Sequence, residues 1–273
     1  MEGSKLIRVA LTIAGSDSGG GAGIQADLKA FARCGVHGTC AITAITAQNT
    51  VAVEAVAPVA PEMIVAQVRA VAGDIGVDAV KVGMLGDEPT IEAVAEALDL
   101  LHDAPVVVDP VMVAESGATL LDPDAKAALI ERILPRASVL TPNLAEARAL
   151  CALGEGKGPA ELAEAVQALG PAAVIVTGGH TDEGADTLFE GAGVLRIEGP
   201  RYPGGASHGS GCTHSSALAA FLARGEELAD AARWAKEIAG EAVGNGLREI
   251  GSGAGPVDVF ALSGARSSAG PLP

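Results

Sequence analysis

Short apolar runs alternate with segments of helical periodicity along most of the chain. The apolar runs are rich in Val, Ile and Ala, which is typical of strands buried on both faces. The segments between them repeat apolar residues at helical spacing, as Ile24, Leu28 and Phe31 do. Strands that alternate with helices in this way predict an α/β fold with a mostly parallel sheet and helices on both faces.

The same pattern gives approximate bounds for each element. Strands are predicted at 6–14, 39–47, 78–82, 105–109, 138–141 and 172–177. Helices are predicted at 24–34, 63–71, 89–101, 122–134, 144–153, 159–169, 213–224 and 227–244. Residues 51–59 alternate and predict a small β flap, and 185–190 with 193–198 predict a hairpin.

Composition bounds the domain count and the class of partner. No Pro/Ser-rich linker divides the 273 residues, so we expect one domain over 1–260 and a disordered Ser/Gly/Ala-rich tail over 261–273. A net charge of −16 argues against nucleic acid or an anionic membrane as a partner. We find no apolar run long enough to span a membrane, no signal peptide and no C-x-x-C pair, and these features favour a cytoplasmic location.

Polar or glycine residues follow most of the predicted strands. In a parallel sheet, ligands bind outside the carboxyl ends of the strands. The residues at these positions are Asp17, Gln48, Met84, Asp109, Asn143 and Gly178.

A glycine-rich loop precedes the late helix and ends in Gly209, Ser210, Gly211 and Cys212. Glycines at a helix N-terminus let backbone N–H groups converge, and the helix dipole adds positive charge. The stretch predicts an anion hole beside a thiol, a combination suited to phosphoryl transfer. The alternative is a plain glycine-rich helix start with Cys212 as a small buried side chain.

Other motifs are weaker or absent. No Walker A sequence is present, and the G-x-G-x-x-A match at 21–26 lacks the acidic residue of a dinucleotide site. The five histidines and the carboxylates do not have transition-metal spacing, although His180 and His208 adjoin glycine loops and could face a ligand. Asp109 and Glu146 suit Mg²⁺ bound partly through water, but Glu146 could instead complement a helix dipole.

Several motifs, in order along the chain, carry a family resemblance. They are LTIAGSDSGGGAGIQADLK at 11–29, TAQNT at 46–50, VGML at 82–85, VVDPVM at 107–112, TPNL with Glu146 at 141–146, GGH at 178–180 and HGSGCT at 208–213. With these motifs the chain resembles the bacterial hydroxymethylpyrimidine/phosphomethylpyrimidine kinases of thiamine biosynthesis, in the ribokinase-like superfamily. The resemblance implies a cytoplasmic, homodimeric enzyme that uses ATP and Mg²⁺. It would phosphorylate 4-amino-5-hydroxymethyl-2-methylpyrimidine and then its monophosphate.

The resemblance also implies site residues. Asp27 and Gln48 would hydrogen-bond the aminopyrimidine, and Gly15 and Met84 would line its pocket. Asp109 and Glu146 would hold Mg²⁺. The remaining positions would bind ATP or form the anion hole: Asn143, Thr177, Gly179, Gly209, Ser210, Gly211 and Cys212.

Cys212 stands where most ribokinase-like kinases have an aspartate base. A helix N-terminus lowers the pKa of a thiol, so we expect a usable thiolate. The monophosphate needs no base, because its second pKa is about 6. Hence loss of Cys212 should slow the alcohol step more than the phosphate step.

The chain departs from the family beside the phosphates, because Thr177 stands where a lysine is usual and 202–207 lacks a second lysine. Arg201 or another base could substitute, Mg²⁺ could carry more of the charge, or the second activity could be weaker. Two other functions stay open: a pyridoxal kinase of the same fold, and a member that binds the pyrimidine without catalysis.

Overall fold

The computed structural model describes residues 7–101, 103–154, 156–179, 184–202 and 204–262. Its strands are β1 Val9–Asp17, β2 His37–Gln48, β3 Val53–Pro58, β4 Ala79–Val82, β5 Val106–Val108, β6 Val139–Leu140, β7 Ala173–Val176, β8 Asp186–Glu190 and β9 Gly193–Ile197. Its helices are α1 Gly23–Arg33, α2 Pro61–Asp74, α3 Glu88–Leu98, α4 Lys126–Ala128, α5 Leu144–Cys151, α6 Pro159–Gln167, α7 Ser210–Ala223 and α8 Leu228–Gly244.

The nine strands form one sheet in the order β3-β2-β1-β4-β5-β6-β7-β8-β9. The pairs from β2 through β1 and β4 to β7 are parallel, whereas β3, β8 and β9 are attached antiparallel. This confirms the predicted mostly parallel sheet with a β flap and a hairpin. The chain leaves β1 on one side for β2 and returns on the other for β4, and such a switch point is where α/β sheets bind ligands.

The core lies on both faces of the sheet, because successive strand side chains point in opposite directions. Val106 and Val108 of β5 pack into one apolar cluster with α2, α3, α5 and α6. Val107 between them packs into a second cluster with α1, α7 and α8. Ala217, Ala219 and Ala220 of α7 are fully buried there. The small side chains of α7 thus let this helix pack close against the sheet.

Most predicted elements are present with bounds shifted by a few residues, and three differences matter for the site and its support. β1 continues to Asp17 after an irregularity at Gly15, because Ser16 and Asp17 still pair with Ile45 and Thr46 of β2. α7 begins at Ser210, three residues earlier than predicted, so the glycine-rich stretch is itself the first helical turn. The predicted helix at 122–134 is a series of 3₁₀, α and π turns. The last of these turns is a 3₁₀ turn that contains Pro135 and ends at Arg136.

Some expectations fall outside the described residues. His102, His180 and positions 263–273 lie there, so the ligand-facing role of His180 and the division into 1–260 and 261–273 stay predictions. None of the described helices is long and apolar enough to cross a membrane. The four cysteines are all free thiols.

A fully buried ion pair joins α1 to the centre of the sheet. The Lys81 ammonium on β4 lies 3.0 Å from Asp27 Oδ1, and neither side chain has exposed surface. Burial alone would lower the pKa of Lys81, but nearby negative charge, that of Asp27 above all and then that of Asp109, raises it above its ordinary value. Thr12 and Ser216 also donate to the Asp27 carboxylate, at 2.6 and 2.7 Å. Both oxygens of the Asp27 carboxylate therefore accept hydrogen bonds from buried donors.

We expect Lys81→Met to lower the free energy of unfolding by about 3–5 kcal/mol, because it leaves the Asp27 carboxylate buried without its cation. The matched control is Arg132→Met, which removes a half-exposed ion pair with Glu92 and should cost at most about 1 kcal/mol. Urea denaturation followed by circular dichroism measures both. Equal losses in the two variants would contradict this account of Lys81.

Candidate active site

A cavity of about 480 Å³ opens at the carboxyl ends of β1 and β4–β7. Of the predicted site residues, all except Asp27 line it. They are Gly15, Gln48, Met84, Asp109, Asn143, Glu146, Thr177, Gly179, Gly209, Ser210, Gly211 and Cys212. The sheet topology thus collects residues from distant parts of the sequence at one edge, as the strand-end argument predicts.

The N-terminus of α7 presents unused backbone donors to this cavity. The Ser210 amide donates to Ser207 O at 2.9 Å and the Thr213 amide to Gly209 O at 2.9 Å. Among the described residues, the amides of Gly211 and Cys212 between them have no backbone acceptor. A Cβ atom on Gly211 would lie 3.9 Å from Asp109 Oδ2, so a longer side chain there would approach this carboxylate. Two free N–H groups at a helix start, with no side chain on Gly211, can bind an anion. The structure is thus compatible with the predicted anion hole.

Two glycine-rich loops interlock beside the anion hole. Gly209 has φ +85, and a Cβ there would overlap the carbonyl oxygen of Gly21 in the loop after β1. Asp17 organises that first loop by accepting from the amides of Gly19 and Gly21. His208 Nε2, from the second loop, lies 3.1 Å from Asp17 Oδ2. The loop after β1 and the loop before α7 are therefore in direct contact and joined by the Asp17–His208 pair.

Electrostatics at Asp17 strengthen this connection. Burial alone would raise the pKa of the Asp17 carboxyl, but hydrogen bonds from His208 and from the Ala22 and Gly19 amides lower it. Asp17 is therefore ionised and remains an acceptor for both loops at neutral pH.

Asp109 and Glu146 form a pair of acids on the cavity wall. Burial raises the pKa of Asp109 above its ordinary value, although Lys81 opposes the rise. Burial and the neighbouring charge of Asp109 together raise the pKa of Glu146 to about 8. Glu146 also closes a reciprocal capping box with Asn143, with both bonds at 2.9 Å. It therefore lies in the first turn of α5, as the helix-dipole alternative requires, and its role as a Mg²⁺ ligand stays a prediction.

The donor set of this pair suits a hard divalent cation. Two carboxylates that destabilise each other's charge are stabilised by a cation between them. The described residues contain no cluster of three or more His, Cys, Asp or Glu side chains of the kind that encloses a metal. Mg²⁺ keeps several waters and needs only one or two carboxylates from the protein.

Cys212 lies half-buried on the cavity wall. Burial raises the pKa of its thiol to about 12, whereas its place at a helix N-terminus was expected to lower that pKa. Lys81 and a hydrogen bond from Gly23 lower this pKa, but the charges of Asp27 and Asp109 offset them. The helix-dipole argument did not include two carboxylates and a desolvated site that only the fold brings together. The usable thiolate stays a prediction.

The predicted contact of Asp27 with an aminopyrimidine is also contradicted. The Asp27 side chain has no exposed surface and does not line the cavity. Its oxygens accept from Thr12, Lys81 and Ser216, all of them buried. Asp27 therefore lies beneath the cavity floor and acts on the site through Lys81.

Gln48, Gly15 and Met84 lie together at the β1–β2 end of the cavity. The Thr46 hydroxyl donates to Gln48 Oε1 at 3.1 Å, which orients the carboxamide. A Cβ on Gly15 would lie 3.2 Å from Met84 Sδ, which is a tight contact, so glycine leaves the thioether more room. The carboxamide offers both a donor and an acceptor, which matches the edge of an aminopyrimidine.

Sequence reasoning missed a charged group at the opposite end of the cavity. Lys236 of α8 donates to Asp186 Oδ1 at 2.7 Å, and His214 Nε2 lies 3.1 Å from Asp186 Oδ2. All three residues line the cavity and all are buried. Lys236 occupies a helix far along the chain, and no local motif marks it. The only available signals were a lysine and a histidine on otherwise Ala-rich helix faces.

Comparisons with known proteins agree with this architecture. The sequence matches the family model described as phosphomethylpyrimidine kinase over residues 17–258. The hydroxymethylpyrimidine/phosphomethylpyrimidine kinase of Rhizobium meliloti is 50% identical over 258 residues, which are 92% of this chain and 97% of that protein. The thiamine biosynthesis bifunctional protein of Geobacter sulfurreducens is 43% identical over 91% of this chain and 51% of that protein.

The fold is also similar to a solved kinase structure. The ADP complex of Bacillus subtilis pyridoxal kinase superposes with a TM-score of 0.86 at 38% identity, covering 94% of this chain and 99% of that one. This likeness confirms the predicted fold class. Because a family model spans most of the chain and a relative of equal length shares half of its residues, this chain belongs to the phosphomethylpyrimidine kinase family.

Proposed function

We propose that this protein transfers the γ-phosphoryl group of ATP to 4-amino-5-hydroxymethyl-2-methylpyrimidine, and then transfers a second one to the resulting monophosphate, in thiamine biosynthesis. The observation that carries the proposal is the pair of unused amides at Gly211 and Cys212, open to the cavity beside Asp109. Phosphoryl transfer depends on positioning and on neutralising charge at the equatorial oxygens. Fixed backbone donors meet that need without reorganisation during the reaction.

The aminopyrimidine would lie at the β1–β2 end. Gln48, held by Thr46, pairs with its amino edge, and Gly15 leaves space beside Met84 for the ring. This orientation points the hydroxymethyl group toward the anion hole and Cys212. The interlocked loops keep the distance between the two subsites fixed, which favours an in-line attack on the phosphorus.

The phosphates of ATP would extend along Asn143, Thr177 and Gly179 toward the anion hole. Asp109 and Glu146 would hold Mg²⁺, and this ion, when bound, neutralises charge on the phosphates. Their carboxyl groups must lose their protons before they bind it, so metal binding and proton release are coupled.

The two steps differ in their need for a base. The alcohol must lose a proton, and Cys212 is the acceptor that we assign to it; the monophosphate acceptor is already ionised at neutral pH. Because the thiol is largely protonated, thiolate is scarce at neutral pH and its fraction rises with pH.

We also propose that this enzyme is a homodimer and that it is cytoplasmic. Apolar side chains on the β2–β3 flap support self-association: Ile45, Val51 and Val56 are all exposed. A second copy packed on this face would cover them.

A coupled assay of ADP formation tests the function directly. The pyrimidine alcohol and its monophosphate should both give ADP, and pyridoxal should give it at a lower kcat/KM. The likeness to pyridoxal kinases makes pyridoxal the informative competitor. Turnover of pyridoxal alone would overturn the proposal, and binding of the pyrimidine without ADP release would indicate a non-catalytic member.

Cys212→Ala should lower kcat/KM for the alcohol about 100-fold or more, because a general base contributes at least that factor. The loss with the monophosphate should be less than about threefold. In the unmodified enzyme, log kcat/KM for the alcohol should rise by about one per pH unit from pH 6.5 to 9, since the raised pKa of about 12 lies above this range. Steady-state rates on both substrates check this, and equal losses would exclude Cys212 as the base.

Glu146→Gln should reduce the number of protons released when Mg²⁺ binds. With a pKa of about 8, most Glu146 carboxyls carry a proton at pH 7 and must lose it to bind the ion. Calorimetric titrations of Mg²⁺ into the ADP-bound protein, in two buffers of different ionisation enthalpy, count these protons. The control Glu62→Gln, at an exposed position on α2, should release as many as the unmodified protein. Unchanged proton release in Glu146→Gln would exclude Glu146 as a metal ligand.

A further inference from the structure

Two adjacent serines of α7, Ser215 and Ser216, contact the buried acids near Lys81. Both serines are fully buried. Ser215 Oγ donates to Asp109 Oδ2 at 3.1 Å, and Ser216 Oγ donates to Asp27 Oδ1 at 2.7 Å. The two carboxylates lie 4.0 and 3.0 Å from the Lys81 ammonium. The two contacts are alike in burial and in acceptor, but of the two acids only Asp109 lines the cavity.

The hydroxyl of Ser215 fixes the orientation of the Asp109 carboxylate. Among the described residues, no other group forms a hydrogen bond to this side chain, and the Lys81 ammonium at 4.0 Å is too distant to form one. Oδ2 accepts from Ser215, whereas Oδ1 accepts from none of the described residues and retains access to the cavity. Oδ1 is therefore the oxygen that Asp109 can offer to a cation.

The proton of Ser215 has two further acceptors within reach, and both are weaker. Oγ lies 2.9 Å from Gly211 O and 3.2 Å from Cys212 O. These carbonyls belong to α7 and can accept from backbone amides four residues later. When Asp109 binds a cation its carboxylate is ionised, and a hydrogen bond to an ionised acceptor is about twice as strong as one between neutral groups. The carboxylate is therefore the favoured acceptor.

The same face of α7 carries an anion-hole donor. Gly211 and Ser215 are four residues apart and so lie on one side of the helix. The Gly211 amide is one of the two without a backbone acceptor, and a Cβ on Gly211 would lie 3.9 Å from Asp109 Oδ2. Ser215 thus joins the helix that presents the anion hole to the acid that follows β5.

We propose that Ser215 is a positioning residue that holds Asp109 in the orientation that leaves Oδ1 free for Mg²⁺. The inference rests on the proposed kinase function, because that function gives Asp109 its role as a metal ligand. Ser215 acts through Asp109 and not on the ion itself. Removal of a group that hydrogen-bonds a metal ligand typically costs about 10- to 100-fold in metal affinity.

Ser215→Ala should weaken Mg²⁺ binding to the ADP-bound protein about tenfold, because Asp109 loses the bond that fixes it. The matched control is Ser216→Ala, which removes an equally buried hydroxyl from a carboxylate outside the cavity. Both variants should lower the urea midpoint, but Ser216→Ala should change the Kd for Mg²⁺ less than twofold. Calorimetric titration of Mg²⁺ measures the Kd. An unchanged Kd in Ser215→Ala, or equal weakening in the two variants, would overturn the proposal.

Steady-state kinetics separate positioning from general damage to the site. In Ser215→Ala the KM for Mg²⁺ should rise about tenfold, while the KM for the pyrimidine alcohol changes less than twofold. A rise of both constants by the same factor would contradict a role limited to Asp109. If Ser215→Ala does not fold by circular dichroism, Ser215→Cys replaces it, because a thiol of similar size is a weaker donor. This variant should weaken Mg²⁺ binding at least threefold.

Mg²⁺ binding is measured without an acceptor substrate, which separates this inference from the proposed function. Absence of ADP formation from the pyrimidine in the unmodified enzyme would refute the function and leave the comparison of Ser215→Ala with Ser216→Ala valid. Conversely, equal Kd values for Mg²⁺ in all three proteins would refute the role of Ser215 even if pyrimidine turnover is normal.

Discussion

A lysine without exposed surface links the elements that support the cavity. Lys81 comes from β4, Asp27 from α1, and Asp109 follows β5; their charged atoms lie within 3.0 and 4.0 Å of the ammonium. Burying these charges is tolerable because each partner compensates the others and Thr12, Ser215 and Ser216 supply further hydrogen bonds. The same charges act on Cys212 at the start of α7. The residues that hold β4, α1 and β5 together therefore also set the electrostatics of the site.

Desolvation raises the pKa values of the Cys212 thiol and of the cavity acids Asp109 and Glu146, and the charges of this network modify the rise. Lys81 favours the ionised form of both Cys212 and Asp109, but desolvation outweighs it in each case. A bound cation and the phosphates of a nucleotide would change this balance at all the groups together. Coupling of this kind lets one binding event alter several protonation states, which suits an enzyme with two acceptors of different charge.

Rigidity between the two ends of the cavity has a separate origin. Gly209 and Gly21 lie so close that a side chain on Gly209 would overlap the backbone of Gly21. The Asp17–His208 pair joins the same two loops. Backbone amides are useful as anion ligands only if they stay in place. The close contact between the loops therefore keeps the donors of α7 directed into the cavity.

Periodicity and strand-end chemistry were sufficient to predict the sheet, the helices and most of the residues around the cavity, because these depend on local patterns and on a general rule of α/β sheets. Sequence could not place Asp27, since a carboxylate in an amphipathic helix looks the same whether it faces a ligand or a buried lysine. Nor could it find Lys236 and His214, whose meaning depends on Asp186 from another element.

The amino-acid sequence alone was sufficient to predict the family, the fold class and a glycine-rich anion hole, because each has a signature in short motifs or in hydrophobic periodicity. Only the tertiary structure decided which acids share a cavity, that burial raises the pKa of the Cys212 thiol, and that His214 and Lys236 lie beside Asp186. These properties arise from desolvation and from charges brought together across the chain, and neither is a function of local sequence.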